Sequence, residues 1–217
     1  MKSNMTLEAT SAFKRKVTDV KEDAIFNYCY AILHSPGYRH RYAKFLQREF
    51  PRVPLPDAPD LFKDLSILGA ALVELHLLET PGLNNLKCKF DGSKSVQVEA
   101  PFWSDECIWI DKAQTCGFRG VKKEVWNFSI GSYRVCEKWL KDRRDRKLTT
   151  NEFAHYQKIL VAISETIRLM KEIDVVINKH GGWPGAFSTS KETVPEVQER
   201  AEANKDDEPP PIQQSFL

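Results

Sequence analysis

Along the first third of the chain, hydrophobic positions recur every three to four residues, the period of a helix with one buried face. Ile25, Phe26, Cys29, Tyr30 and Leu33 form the first such stripe. Ser35-Pro36 stops it and opens a second helix, with Ser35 as N-cap and Pro36 at the first helical position. Tyr38, Tyr42, Phe45 and Leu46 supply that helix's apolar stripe. The stretch "FPRVPLPDAP" breaks the pattern, because prolines lack an amide donor and hold the backbone extended. Helical spacing resumes at Leu61, Phe62, Leu65, Leu68, Leu72, Leu75 and Leu78, and ends near Pro81-Gly82.

The middle of the chain changes period. "SVQVEAPF", "CIWID", "AQTCGFRGV" and "EVWNFSI" are short β-branched and aromatic runs punctuated by glycine and proline, which predicts strands. Helix returns over Arg134 to Lys141. Thr149 and Glu152 have the spacing of a capping box. It opens a long helix with the stripe Phe153, Tyr156, Leu160, Ile163, Ile167, Met170 and Ile173. These elements predict an α+β fold: N-terminal helices, a small central and mostly antiparallel sheet, and a long C-terminal helix packed across it. Residues 1–22 read as a flexible leader, 23–180 as the domain, and 181–217 as a charged, proline-bearing tail without enough apolar surface to order it.

Composition adds limits. With 41% hydrophobic residues in 217, the chain can build a core, and a net charge of +2 confines any affinity for polyanions to local patches. No signal-peptide h-region and no membrane-length apolar run occurs, so no membrane partner is predicted. Five cysteines without CxxC pairing suit a reducing cytoplasm. Neither a GxGxxG nor a GxxxxGK[ST] loop is present, and no serine sits in a nucleophile elbow. Cys107 and Cys116 lack metal-ligand spacing, and His34, His76 and His155 read as structural. Glu99, Asp105, Glu106 and Asp111 read as a solvated loop face. The sequence therefore predicts no catalytic residue, no metal and no cofactor.

Charge placement is the positive signal. "KWLKDRRDRK", residues 138–147, carries Lys138, Lys141, Arg143, Arg144, Arg146 and Lys147 against Asp142 and Asp145. Lys138 and Lys141 share a helix face, which Trp139 and Leu140 can pin to the core. Arg41, Lys44 and Arg48, with Arg39 beside them, predict a second array on the preceding "YRHRYAKFLQREF" helix. Fixed cations of this kind suit phosphate contacts, which hold register on a duplex and dominate salt-dependent affinity. A solvated helix end with Arg143–Asp145 or Lys141–Asp145 pairs would look the same from sequence.

Two long blocks carry a family resemblance. "AIFNYCYAILHSPGYRHRYAKFLQREFPRVPLP" with "LFKDLSILGAALVELHLL", and later "VWNFSIGSYRVCEKWLKDRRDRKLTTNEFAHYQKILVAISETIRLMKEID", resemble the C-terminal specificity domain of Type ISP restriction–modification enzymes. The resemblance spans Asp23 to Asp174 and weakens from Leu83 to Lys123. In that family a translocase and nuclease, an adenine-N6 methyltransferase and this domain share one polypeptide. The resemblance implies sequence-specific binding of duplex DNA, with a methyltransferase/translocase polypeptide or domain as partner. The methyltransferase, helicase and nuclease motifs are absent here, and "EPPPI" is not the Asn-Pro-Pro-Tyr motif. Where the family favours two glycines before a tyrosine, this chain has Gly131-Ser132-Tyr133.

On this reading a strand, turn and anchored helix form a rigid ledge, from which Arg134 through Lys147 grip phosphates. Gln114, Arg119 and Lys122 are the candidates for base contact, since Gln suits adenine and Arg or Lys suits guanine in the major groove. Two other classes stay open: a module that docks on a methyltransferase with little DNA affinity of its own, and a small hydrolase or transferase with a dispersed site.

Overall fold

The computed structural model describes residues 6–18, 20–84, 88–93 and 95–187. In chain order come helices α1 (Leu7–Lys14), α2 (Glu22–His34), α3 (Pro36–Arg41), α4 (Ala43–Leu46) and α5 (Pro59–His76). Strands β1 (Lys89–Asp91), β2 (Phe102–Ser104), β3 (Cys107–Trp109) and β4 (Gly117–Arg119) follow. Helix α6 (Lys123–Trp126), the β5 (Ser129–Ile130) and β6 (Tyr133–Arg134) hairpin, α7 (Val135–Lys141), α8 (Thr150–Lys179) and α9 (Gly182–Gly185) complete the set. The fold class is α+β. The chain forms two compact units, one within Met1–Gly82 and Ser164–Ser190, the other within Leu83–Ile163, where the sequence predicted a single domain over 23–180. Helix α8 supplies residues to both.

The first unit is helical and is built on the pair α2 and α5. Gly69 makes their close approach possible: a Cβ there would lie 1.8 Å from the Asn27 carbonyl oxygen. The buried residues of α2 are Ile25, Tyr28, Ala31, Ile32 and His34, whereas Phe26 is 52% exposed. The stripe is thus rotated from the one predicted, because the glycine seam of α5 selects which face of α2 is covered. Ser35 caps α3 as predicted, its hydroxyl accepting the Tyr38 amide at 3.0 Å. The proline stretch is fastened by Tyr28 and Tyr38, whose hydroxyls donate to the carbonyls of Pro54 and Arg52.

Both predicted flanks need correction. Residues 7–14 of the expected flexible leader are helix α1, capped by Thr6 and anchored by Phe13, which packs edge-on against Tyr28. At the other end Ala186 and Phe187 are buried, and Phe187 bridges to Pro56, so the chain is ordered past residue 181. Residues 188–217 of the predicted tail lie outside the described residues.

In the second unit, β1-β4-β3-β2 form an antiparallel sheet. Period-two alternation puts Phe90, Phe118 and Ile108 in register on one face. Phe153 and Tyr156 of α8 cover it, with ring centroids 4.4 Å from Phe90 and 4.7 Å from Phe118. The opposite face requires Gly117, since a Cβ there would meet the Cys107 sulfur at 2.7 Å. Two predicted strands are shorter or absent. "EVW" lies in the helical turn α6, which buries Val125 and Trp126, with Phe128 buried just beyond it, a set that alternation cannot place on one side. Within "SVQVEAPF" only Phe102 belongs to a strand; the preceding backbone spends its hydrogen bonds on other segments.

Among the described residues no helix is long and apolar enough to cross a membrane. Nor is any group of three or more His, Cys, Asp or Glu among them placed to hold a metal ion.

Candidate nucleic-acid interface

Of the ledge predicted from a strand, a turn and an anchored helix, the turn and the helix form, while the strand is reduced to the two residues of β5 that follow the helical turn α6. Gly131 takes the left-handed conformation (φ 60°) at the β5–β6 turn, and Ser132 is not among the residues with positive φ, so it carries no such demand. The exposed Tyr133 follows, with the Lys138 amine 5.9 Å from its ring centre. Helix α7 buries Cys136 and Leu140 and accepts a hydrogen bond from the buried Tyr156 hydroxyl at the Cys136 carbonyl, 3.0 Å. Trp139, half-buried, stacks on Tyr156 at 4.7 Å. Lys138 and Lys141 therefore project from a helix locked to the core by the residues between and beside them.

Acids accompany most of the cations. Lys141 pairs with Glu137 at 2.8 Å, Arg134 with the same carboxylate at 3.8 Å, Lys138 with Asp142 at 2.8 Å and Arg144 with Asp145 at 3.9 Å. The Arg143–Asp145 and Lys141–Asp145 pairs of the alternative reading, a merely solvated helix end, do not form. Instead Glu152 gathers the basic run. It accepts Arg146 at 2.6 and 3.1 Å, Arg143 at 3.0 Å, and the Thr149 amide and hydroxyl at 2.9 and 3.1 Å. The bonds from Arg146, then from Thr149 and Arg143, hold the Glu152 carboxyl far below the usual carboxylate range. The capping-box spacing marked Glu152 for the helix start; nothing in the sequence marked it as the acceptor of two arginines.

Arg143 departs from the rest. Its guanidinium lies 3.6 Å over the Trp139 ring, donates to the Trp139 carbonyl at 2.9 Å, and is mostly covered. It acts as a brace for the ledge, where the sequence predicted a phosphate contact. Lys147 is exposed and has no acidic partner among the described residues. Its backbone bridges to Gln97, while Asp145 and Arg146 exchange backbone hydrogen bonds with Val98 at 2.8 and 3.1 Å. On its other side this segment continues to β3, the Glu99 amide donating to the Ile110 carbonyl at 2.8 Å. The strand-like stretch 97–99 thus ties the basic run to the loop that follows β3.

The three base-contact candidates fall in different settings. Gln114 is exposed on the β3–β4 loop with φ 56°. Arg119 sits at the other end of β4, in register with Cys107, tied to Asp91 at 2.7 Å and 5.0 Å from the Trp109 ring centre. Lys122 is exposed at the N-cap of α6. Asp111, predicted on a solvated face, is 3% exposed. Its carboxylate accepts the Thr115 amide at 3.0 Å, the Thr115 hydroxyl at 2.6 Å and the Cys116 amide at 2.9 Å, so it is a loop anchor. Of the acids read as a loop face, Asp105 and Glu106 form the β2–β3 turn, both with positive φ.

The second predicted array does not form as one helix face. Tyr42 (φ −103°, ψ 15°) separates α3 from α4, leaving Arg41 on one helix, Lys44 on the next and Arg48 beyond both. Arg39 turns inward and donates to the Leu33 carbonyl at 2.6 Å. Arg41 and Lys44 remain exposed.

Residues 1–172 match the family described as the Type ISP C-terminal specificity domain. No curated protein sequence matches the chain. Among solved structures, a cryoEM structure of a DrdV–DNA complex is 20% identical over 78% of this chain with a TM-score of 0.62, and this chain spans 20% of it. A DNA-bound ATP-dependent Type ISP restriction–modification enzyme, LlaBIII, is 17% identical over 81% with a TM-score of 0.57. A nuclease-deletion mutant of the Type ISP enzyme LlaGI with a DNA substrate mimic is 18% identical over 71%, TM-score 0.53. This chain corresponds to 12% and 14% of those two chains. With the sequence match covering most of its length and the fold shared, the chain belongs to the Type ISP C-terminal specificity domain family.

Proposed function

We propose that this chain recognises a target sequence in duplex DNA as the non-catalytic specificity module of a restriction–modification system, presenting the site to an adenine-N6 methyltransferase. The observation that carries the reading is the family match over residues 1–172, joined to the core-anchored ledge that holds exposed cations. Similar folds occur in Type ISP enzymes solved with DNA, and the chain spans only a small part of them, so the methyltransferase is proposed on a larger polypeptide or a partner. The five free cysteines favour a reducing, cytoplasmic setting.

Arg134, Lys138, Lys141, Arg144 and Lys147 are proposed to hold phosphates, with Arg41 and Lys44 as further contacts, while Arg146, doubly bonded to Glu152, joins them only when that carboxylate is removed. Their acidic partners do not stand in the way. Solvent-exposed pairs are worth about 0–1 kcal/mol, so a phosphate can replace a surface carboxylate at little expense.

The pairing does favour a second reading, in which the domain docks on a methyltransferase and has little affinity for DNA itself. Titration of the full chain on duplex DNA at several salt concentrations separates the two. Recognition through several phosphates gives a log–log slope of a few units, about −0.9 per contact. A flat response supports docking and refutes the DNA reading.

A further inference from the structure

We propose that the loop Lys112–Thr115 sets the base specificity of this domain, with Lys112 and Gln114 as the reading side chains and Asp111 as the positioning residue. This rests on the DNA-recognition reading and goes beyond it by assigning the reading element.

The loop combines exposure with restraint. Lys112, Ala113, Gln114 and Thr115 are all exposed, while the residues bracketing them, Asp111 and Cys116, are 3% and 2% exposed. The loop is closed at its base by the Ile110 amide on the Cys116 carbonyl, 3.0 Å. Asp111 holds it from inside through its three hydrogen bonds from Thr115 and Cys116. Burial alone would raise the Asp111 pKa; those bonds together outweigh it and keep the carboxyl below its usual value. From outside, the Glu99 carboxylate accepts the Lys112 amide at 2.9 Å. The backbone after β1 also presses on the loop, since a Cβ at Gly92 would lie 2.5 Å from the Thr115 carbonyl oxygen. A reading side chain must be held by its own support to discriminate between bases, and this loop has that support.

Gln114 itself adopts a left-handed conformation, which glycine or asparagine would take with less strain. Such an outlier in a well-tied loop directs attention to what its side chain does. Glutamine matches the N6/N7 edge of adenine and lysine the O6/N7 edge of guanine.

Position supplies the independent argument. Residues 97–99 bond to 145–146 on one side and to Ile110 on the other. Two strand spacings, roughly 10 Å, therefore separate Ile110, at the base of the reading loop, from the backbone of the basic run. The major groove is about 12 Å wide, so cations on phosphates at the groove's edge leave Lys112 and Gln114 within reach of its floor. Arg119 and Lys122 do not share this placement: Arg119 is held at the far end of β4 by Asp91.

The test is selection of the full 217-residue chain on a randomised DNA duplex library, read by sequencing. The unaltered chain is expected to enrich a motif. Lys112→Ala and Gln114→Ala should each erase roughly five- to a hundred-fold of base preference at one or two adjacent positions, leaving the remainder of the motif. Asp111→Asn should relax preference at both places while affinity for random-sequence duplex stays unchanged, a split that a merely destabilised domain would not show. Lys147→Ala should instead weaken every sequence equally and reduce the salt slope by about 0.9. Enrichment of the same motif by the unaltered chain, Lys112→Ala and Gln114→Ala overturns the loop assignment and leaves DNA recognition standing. No motif from the unaltered chain overturns both.

Discussion

Substituting Glu152→Gln separates what the acid does for the fold from what it does to the charge. Glutamine keeps a side-chain carbonyl for the Thr149 amide, and capping boxes use Glu or Gln, so the start of α8 should persist. The mostly covered Arg143 pair at 3.0 Å loses its charge. That should lower stability by about 1 kcal/mol, the upper end of the range for exposed pairs, because both partners are largely covered. A loss of that size moves Tm by about 2–4 °C in a chain this long. Meanwhile Arg146, which directs two nitrogens at Glu152, is released. One further phosphate contact steepens the log–log salt slope by about 0.9. The variant should therefore bind duplex DNA more tightly than the unaltered chain, and that advantage should shrink roughly 3.5-fold between 50 and 200 mM salt. Urea melts give the first quantity and fluorescence anisotropy on labelled duplex the second. A variant that is less stable but has the same affinity and slope would refute the argument that Arg146 faces phosphate.

Glutamate at Lys138, Lys141 and Arg144 together should weaken DNA binding and flatten the salt slope while circular dichroism and Tm change little, because all three are exposed. Arg143→Glu is expected to destabilise the domain instead, since it puts a second carboxylate beside Glu152 and uncovers Trp139. Trp139→Ala should cost about 2–3 kcal/mol in urea denaturation, less than the ~3–5 of a fully buried tryptophan because part of the residue stays in contact with solvent. Gly69→Ala should force α2 from α5 and lower Tm sharply, and a normal melt would mean the two helices can separate at little cost. Burial pushes the His34 pKa down to about 4 from its ordinary 6.5. The unfolded chain thus binds more protons between those values, so stability is full above pH 6.5 and falls as pH drops toward 4. Replacing His34 with leucine should reduce that slope in a pH series of melts, leaving the part owed to His76, whose pKa burial also lowers.

Helix positions in the N-terminal part and in α8 were legible because burial on a helix imposes a 3.6-residue period that side chains must obey wherever the partner lies. Which α2 residues are covered was not legible, since Gly69, over forty positions away, decides it. The short strands were harder. Three-residue strands carry barely one alternation, and "EVW" satisfies a helical turn as readily as an extended run. The basic run was visible as charge, but Glu152 and the inward turn of Arg143 are outcomes of packing around Trp139.

By itself, then, the sequence determined the α+β class, the capped long helix, the concentration of cations over 138–147 and the family, because local spacing and composition act over a few residues. Only the tertiary structure decided that stretch 97–99 joins the basic run to the loop after β3, that Asp111 is buried beneath that loop, and which cations stay outward. The first depends on backbone hydrogen bonds between segments some fifty residues apart, the others on how side chains pack around Asp111 and Trp139, and no local pattern encodes the partner of such a contact.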